Sequence, residues 1–353
     1  MDITKLNQSA GDNSIQIQNH GDIIVGMPPE IVCQVIQMYG ECARVTVENR
    51  IKQFSDDYLM PRIKNLENGL EAFRDPGFQM QLVEATKKAA STERKIDYSM
   101  LAELMAARFS KRDDIKSNAV IAKAVEGVNL IDNDSLVGLT LIFFVSRAFK
   151  PSVGPIHEGL KLLDDCVAKI LSSADLSIEN KKWIDNLEIT QTLKTYRGIG
   201  SLKSFTDIYT SELSGYVVAG VEKDSEKHVS LQKKLELYNL SADFLVEHEF
   251  DSTRIRLNVA HKRQIQEMEH LSNEQKVFLL GVFDEMTKTD IKKDMKSALD
   301  TYITENCSSL SLLREFWNTI PPLELTALGS LIGYMNLKRL LPKIQDKEFD
   351  FIQ

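Results

Sequence analysis

The sequence has no paired cysteines, no long apolar run, and only 17 glycines and 9 prolines in 353 residues. The scarcity of glycine and proline excludes a collagen-like, linker-dominated or low-complexity chain. With 43% hydrophobic residues it also excludes global disorder, and the length is enough for two domains with real cores. The four cysteines, Cys33, Cys42, Cys166 and Cys307, form no CxxC pair of the kind that holds zinc or a redox disulfide, so each reads as a small core hydrophobe. The most apolar stretch, Leu136 to Val145, is about half the ~20 residues a membrane span needs. Flanked by Asp132, Asp134 and Arg147, it reads as a buried core helix. Residues 1–20 are polar, with no basic start before an apolar segment, so no secretory signal is expected and the location read from the sequence is cytoplasmic.

Positive charge is in deficit: 43 Lys and Arg stand against 51 Asp and Glu, a net charge of −8. That balance argues against a surface that coats nucleic acid or anionic membrane, although a local basic patch is compatible with it. Standard chemical signatures are missing too. No Gly-Lys-Ser/Thr phosphate loop and no GxSxG elbow occurs. Gly198 and Gly200 lack both the preceding apolar strand and the third glycine of a dinucleotide site. His157-Glu158 opens like a zinc-protease motif, but Lys161 stands where the second histidine is needed. Neither His20, His157, His228, His248 nor His270 has metal-ligand spacing, and no cofactor or metal is expected.

What is present falls into three regions. In residues 1–27 Gly11-Asp12 recurs as Gly21-Asp22, each followed by period-two apolar residues: Ile15 and Ile17, then Ile23 and Val25. This pattern predicts either a hairpin of residues 14–18 against 22–26, or a β-rung shared between chains. Two strands alone are marginal and leave their edges unpaired, so Gly11, Asp12, Asn13, Ile15, Ile17, Gly21, Asp22, Ile23 and Val25 are read as an oligomerisation element.

Pro28-Pro29 closes the β segment and opens a helix carrying Ile31, Val35, Met38, Cys42 and Val45 at three-to-four spacing, running to about Tyr58. Helices follow at Asp75-Pro76, at Asp97, and over 115–130, 134–149 and 155–172, giving an N-terminal helical domain over 28–172. A stretch richer in Ser, Thr and Gly begins near Ser173. A second helical domain over 173–353 is then expected, with helices at 225–249, 254–270, 274–288 and 291–304. Pro321-Pro322 forces a short extended segment before an amphipathic helix over 330–341, and the polar tail 346–353 is expected to fray. The fold class is therefore mainly α, with a multi-helix body in two regions and a short N-terminal β element.

Three resemblances bear on function. Gly11-Asp12-Asn13-Ser14-Ile15-Gln16-Ile17-Gln18 and Asp22-Ile23-Ile24-Val25-Gly26 resemble the opening of a bacterial family without an assigned activity. That likeness continues through Asp75-Pro76-Gly77-Phe78-Gln79, the Leu101–Arg112 helix, the Tyr196–Gly220 region and Leu325-Thr326-Ala327-Leu328-Gly329. The Met100 to Val145 segment is similar in layout to the abortive-infection alpha family of phage-defence proteins. Segments of the Gly-Asp-Asn type also look like those that precede varied domains in bacterial conflict systems. Together these imply a self-assembling phage-defence component, with its own copies and a phage or host trigger as partners.

Two alternatives rest on other residues. Arg256 and His261 have the Arg-four-residues-His spacing that resembles HEPN ribonucleases. On a helix the two would share one broad face, His handling the ribose 2′-hydroxyl proton and Arg holding the phosphate, with Arg254 as a second register. Leu257 departs from the polar residue that usually follows the Arg in that family. The helices near 274–304 with the Pro-Pro segment look like a winged-helix arrangement, in which Lys292, Lys293, Lys296, Lys338, Arg339 and Lys343 would meet nucleic-acid phosphates. Asp290, Asp294 and Asp300 dilute that charge.

Overall fold

A computed structural model describes residues 19–20, 22–23, 29–111, 113–148, 156–173, 182–196, 205–287 and 292–342. The chain is mainly helical, as its periodicity predicts, with three small antiparallel sheets among the described residues. Of the N-terminal β element, the short strands β1 (Asn19–His20) and β2 (Asp22–Ile23) pair Asn19 with Ile23 and His20 with Asp22. Gly11, Asp12, Asn13, Ile15, Ile17, Gly21 and Val25, like the tail 346–353, lie outside the described residues.

Helix α1 (Pro29–Gln53) starts at the proline the sequence marks and continues through a π-helical turn, Phe54–Leu59, into α2 (Met60–Lys64). Local capping chemistry explains the next starts. The Asp75 carboxylate accepts from the Gly77 amide at 2.8 Å to open α3 (Pro76–Ala90). Asp114 accepts from the Lys116 and Ser117 amides to open α5 (Ile115–Gly127), which follows α4 (Lys95–Ser110). Asp132 caps α6 (Asn133–Phe143), whose residues from Ser135 to Phe143 are all buried. The apolar run is thus a core helix, and no helix among the described residues is long and apolar enough to cross a membrane.

Helices α7 (Ile156–Leu171) and α8 (Lys182–Ile189) complete the first set. Gly138 lets Trp183 lie directly on α6, since a Cβ there would meet the indole at 2.6 Å, and Trp183 stacks on Phe316 with centroids 5.4 Å apart. Phe316 belongs to α14 (Ser308–Thr319), which follows α9 (Phe205–Glu212) and α13 (Lys292–Asn306) in the same body.

The core does not part near residue 173. Helix α15 (Ala327–Leu340) returns across that boundary and packs on α4, α5, α6 and α7, burying every residue from Gly329 to Leu337. Here the expectation of an amphipathic last helix fails, because helices surround this one on several faces. Its polar Asn336 is satisfied by the Thr140 hydroxyl at 2.7 Å. Strand β3 (Leu193–Thr195) pairs with β7 (Leu323–Leu325), Leu193 opposite Leu325, and ties the start of α15 to the N-terminal helices.

The second core is a compact unit inserted between residues 218 and 286, containing Val218, Leu231, Leu235, Leu257, Ile265, Leu279 and Phe283. It joins α10 (Glu226–Leu237), α11 (Lys262–Glu267) and α12 (Asn273–Thr287) to the three-stranded sheet β4 (Val221–Glu222), β6 (Asp251–Leu257), β5 (Leu245–His248), with β6 in the middle. Two expected helices are corrected here. The 225–249 helix ends at Leu237 because Asn239 takes a left-handed conformation (φ 52°) and the Leu240 amide closes back on the Leu235 carbonyl at 2.9 Å. Most of the 254–270 helix is replaced by β6 and a short α11, because Ile255 pairs with both β4 and β5 and Leu257 pairs with β5.

Candidate functional site

The longest run of exposed helical residues among the described ones belongs to α1. Its chain turns away from the body before Arg50, which anchors it by donating to the Ala90 carbonyl at 3.1 Å and pairing with Glu93. Every residue from Gly40 to Asn49 is exposed around the whole circumference, including Cys42, Val45 and Val47. Cys42 is therefore not the core residue the sequence suggested. Cys307 is, and burial pushes its thiol up to about 11, while Cys166 is half-buried. Along the exposed stretch Arg44 pairs within its own helix with Glu41 at 2.5 Å and Glu48 at 2.6 Å, which keeps Glu41 below the usual carboxylate range. The other large exposed hydrophobics, such as Met80, Ile115 and Leu237, belong to helices otherwise packed on a core.

The Arg256/His261 pair does not form a catalytic face. Arg256 lies on strand β6, only 2% exposed, with its guanidinium committed on all sides. Its Nε donates to Glu249 Oε2 at 2.6 Å, Nη2 pairs with the other carboxylate oxygen, Nη1 donates to the Leu257 carbonyl at 2.6 Å, and the group lies 4.2 Å from the centre of the Tyr216 ring. His261 stands at the start of α11, where its Nδ1 accepts from the Gln264 amide at 3.2 Å. The shared helix face that HEPN chemistry needs is absent, because the intervening backbone is strand and loop. Arg254, the second register, donates to the Ala219 carbonyl at 2.5 Å.

The basic set is likewise dispersed. Lys296 pairs with Asp207 at 2.8 Å, and Arg339 is half-buried, both Nε and Nη2 donating to Asn336. Lys338 also has a partner. Lys292 and Lys293 lie in the first turn of α13, their side chains outside the described residues, as is Lys343. The strand after Pro321-Pro322 pairs with β3 and forms no hairpin wing with its neighbour in sequence.

His248 is buried, its Nε2 3.0 Å from the Val218 carbonyl while Nδ1 accepts from the Phe250 amide at 3.1 Å, which makes Nε2 the protonated nitrogen. Burial holds its pKa below the ordinary histidine value, a shift that the Val218 carbonyl only partly offsets. Below the unfolded-state pKa of about 6.5 the unfolded chain takes up this proton more readily than the folded one. Stability is therefore expected to fall with pH from about 6.5 downward, and less steeply in His248→Gln. Urea melts at pH 7.5 and 5.5 check this; equal slopes for the two proteins would refute it.

Among the described residues no group of three or more His, Cys, Asp or Glu is arranged to hold a metal ion. A cleft of about 340 Å³ lies between α3, α4 and α5, lined by Gly77, Gln81, Glu84, Arg108 and Val125 among others. Gly77 leaves room there for the Arg108 guanidinium, since a Cβ would sit 2.9 Å from Nη2. Buried Gln81 Nε2 and Arg108 Nη1 carry no partner among the described residues and are donors suited to a carbonyl or carboxylate oxygen.

A family model described only as ":-like" matches residues 32–347, and the chain belongs to that family. No curated protein and no solved structure matches the chain significantly.

Proposed function

We propose that this chain is a self-assembling bacterial protein of the cytoplasm that acts in phage defence, in the manner of abortive infection, by homo-oligomerisation and partner binding. The observation that carries the assembly reading is α1, whose residues 40–49 stand clear of the body on all sides directly after the β segment. An isolated helix of this length is marginal in water, and the short β1–β2 ladder leaves open edges, so both elements gain from a partner. Identical elements on a second copy supply one. The defence reading rests on the likeness of Met100 to Val145 to abortive-infection alpha proteins and on the Gly-Asp-Asn opening.

The experiment is light scattering on the full chain and on the chain lacking residues 1–27, each then tested for protection of cells against phage. The full chain is expected at a multiple of 40.0 kDa. Loss of residues 1–27 is expected to lower that mass and abolish protection. An unchanged mass removes the β segment from assembly, and a full chain that stays monomeric at every concentration ends the self-assembly reading.

A further inference from the structure

The sequence of α1 carries a regular seam, of which Cys42, Val45 and Asn49 lie in the exposed stretch. Ile31, Val35, Met38, Cys42, Val45 and Asn49 are spaced four, three, four, three and four residues apart, the a/d alternation of a coiled coil with d at Ile31, Met38 and Val45 and a at Val35, Cys42 and Asn49. The repeat ends where the helix meets the body at Arg50, which donates to the Ala90 carbonyl of α3, and the next positions of the register are Lys52 and Asp56.

We infer that residues 31–49 of α1 form a parallel, in-register, two-stranded coiled coil with the same residues of a second copy of this chain. The inference rests on the self-assembly reading and specifies its partner, surface and direction.

Four observations select this arrangement. First, an aliphatic side chain of this size removes roughly 60–120 Å² from water when fully buried. Once paired, five apolar seam residues from each of two copies would bury roughly 600–1,200 Å², which reaches the lower bound of a stable interface. Second, a single Asn at an a position pairs with itself in a parallel dimer and sets both register and oligomer state, and Asn49 occupies such a position. Third, Glu41 and Glu48 fall at g positions. In a parallel pair they face Thr46 and Gln53 of the second copy, whereas antiparallel helices set g against g and bring like charges together. Fourth, parallel helices deliver both β segments to the same end, where their open edges can pair. Antiparallel helices hold those segments about 30 Å apart, at 1.5 Å rise per residue, and drive each against the other copy's body.

The test uses the full chain with Cys33→Ser, so that α1 carries Cys42 as its one cysteine. Copper-phenanthroline oxidation followed by non-reducing electrophoresis is applied to that protein and to Val45→Cys and Val47→Cys, each made with Cys42→Ser. Position 42 is a, position 45 is d, and position 47 is f, on the outer face. A disulfide requires Cα atoms about 4.4–6.8 Å apart. Covalent dimer is expected from positions 42 and 45 and not from 47. Because two different positions cannot both meet their own copies in an antiparallel pair, cross-linking at both fixes direction and register. Light scattering and circular dichroism on the reduced proteins check that each variant is folded. An oligomer that cross-links at 47 as readily as at 45, or at neither seam position, overturns the coiled coil while leaving self-assembly standing. A monomer overturns both.

Discussion

Shortening the chain after Thr326 is expected to unfold the N-terminal helices along with the C-terminal ones. The five large apolar side chains Leu331, Ile332, Tyr334, Met335 and Leu337 are each 8% exposed or less and share one core with Leu101, Leu139 and Ile142. At about 1.5–3 kcal/mol for each buried side chain they contribute roughly 8–15 kcal/mol. That equals the whole net stability of an ordinary domain, about 5–15 kcal/mol. The loss does not end there, because the Thr140 hydroxyl also loses the Asn336 amide and the Thr326 hydroxyl loses the Gly329 amide it caps. The fragment 28–172 should behave the same way and show no cooperative urea transition by circular dichroism. A sharp transition near that of the full chain would mean that α15 is an accessory to the N-terminal core and that the boundary near residue 173 is real.

The start of α3 was legible because capping is local: Asp75 before Pro76 declares the helix within a few residues. The burial of Leu136 to Val145 was legible because length and flanking charge settle it. In α15, by contrast, Ser330, Tyr334, Asn336 and Lys338 look like a polar face in one dimension. Thr140, which satisfies Asn336, is 196 residues away. Small residues gave the available hint, since Gly329 approaches the Thr192 carbonyl so closely that a Cβ would lie 1.9 Å from it, and Gly333 lies against Phe143.

The inserted sheet was missed for a related reason. Residues 251–257 mix Arg and Leu, good helix formers, with Thr253 and Ile255, and only the pairing of Ile255 with both Val221 and Glu247 makes them a strand. Once that segment was taken as helix, Arg256 and His261 acquired a common face they do not have. The seam of α1 was visible as three-to-four spacing, with Cys42 read as a core residue, whereas the fold leaves Cys42 and Val45 exposed. Spacing reports that a helix has an apolar face, and only the fold reports whether the chain itself covers it.

Arg256→Ala is expected to destabilise the inserted unit by about 3–5 kcal/mol, because it strands the Glu249 carboxylate at a site where that side chain is 17% exposed. Burial alone would raise the Glu249 pKa, but the hydrogen bonds and charge of Arg256 outweigh it and hold the carboxyl below its ordinary range. The stabilisation is therefore complete above the unfolded-state carboxylate pKa and is lost as pH falls through the folded one. Replacing both partners, Arg256→Met with Glu249→Leu, should recover most of the loss, since no buried charge is then left alone. His261→Ala removes a single helix-capping contact and is expected to cost on the order of 1 kcal/mol. Thermal melts of the four proteins separate the structural role from a ribonuclease role, which makes the opposite demand. If Arg256 and His261 were a catalytic pair, either substitution would abolish RNA cleavage and leave Tm nearly unchanged. A large fall in Tm confined to Arg256→Ala, with recovery in the double variant, places the arginine in the core of the sheet.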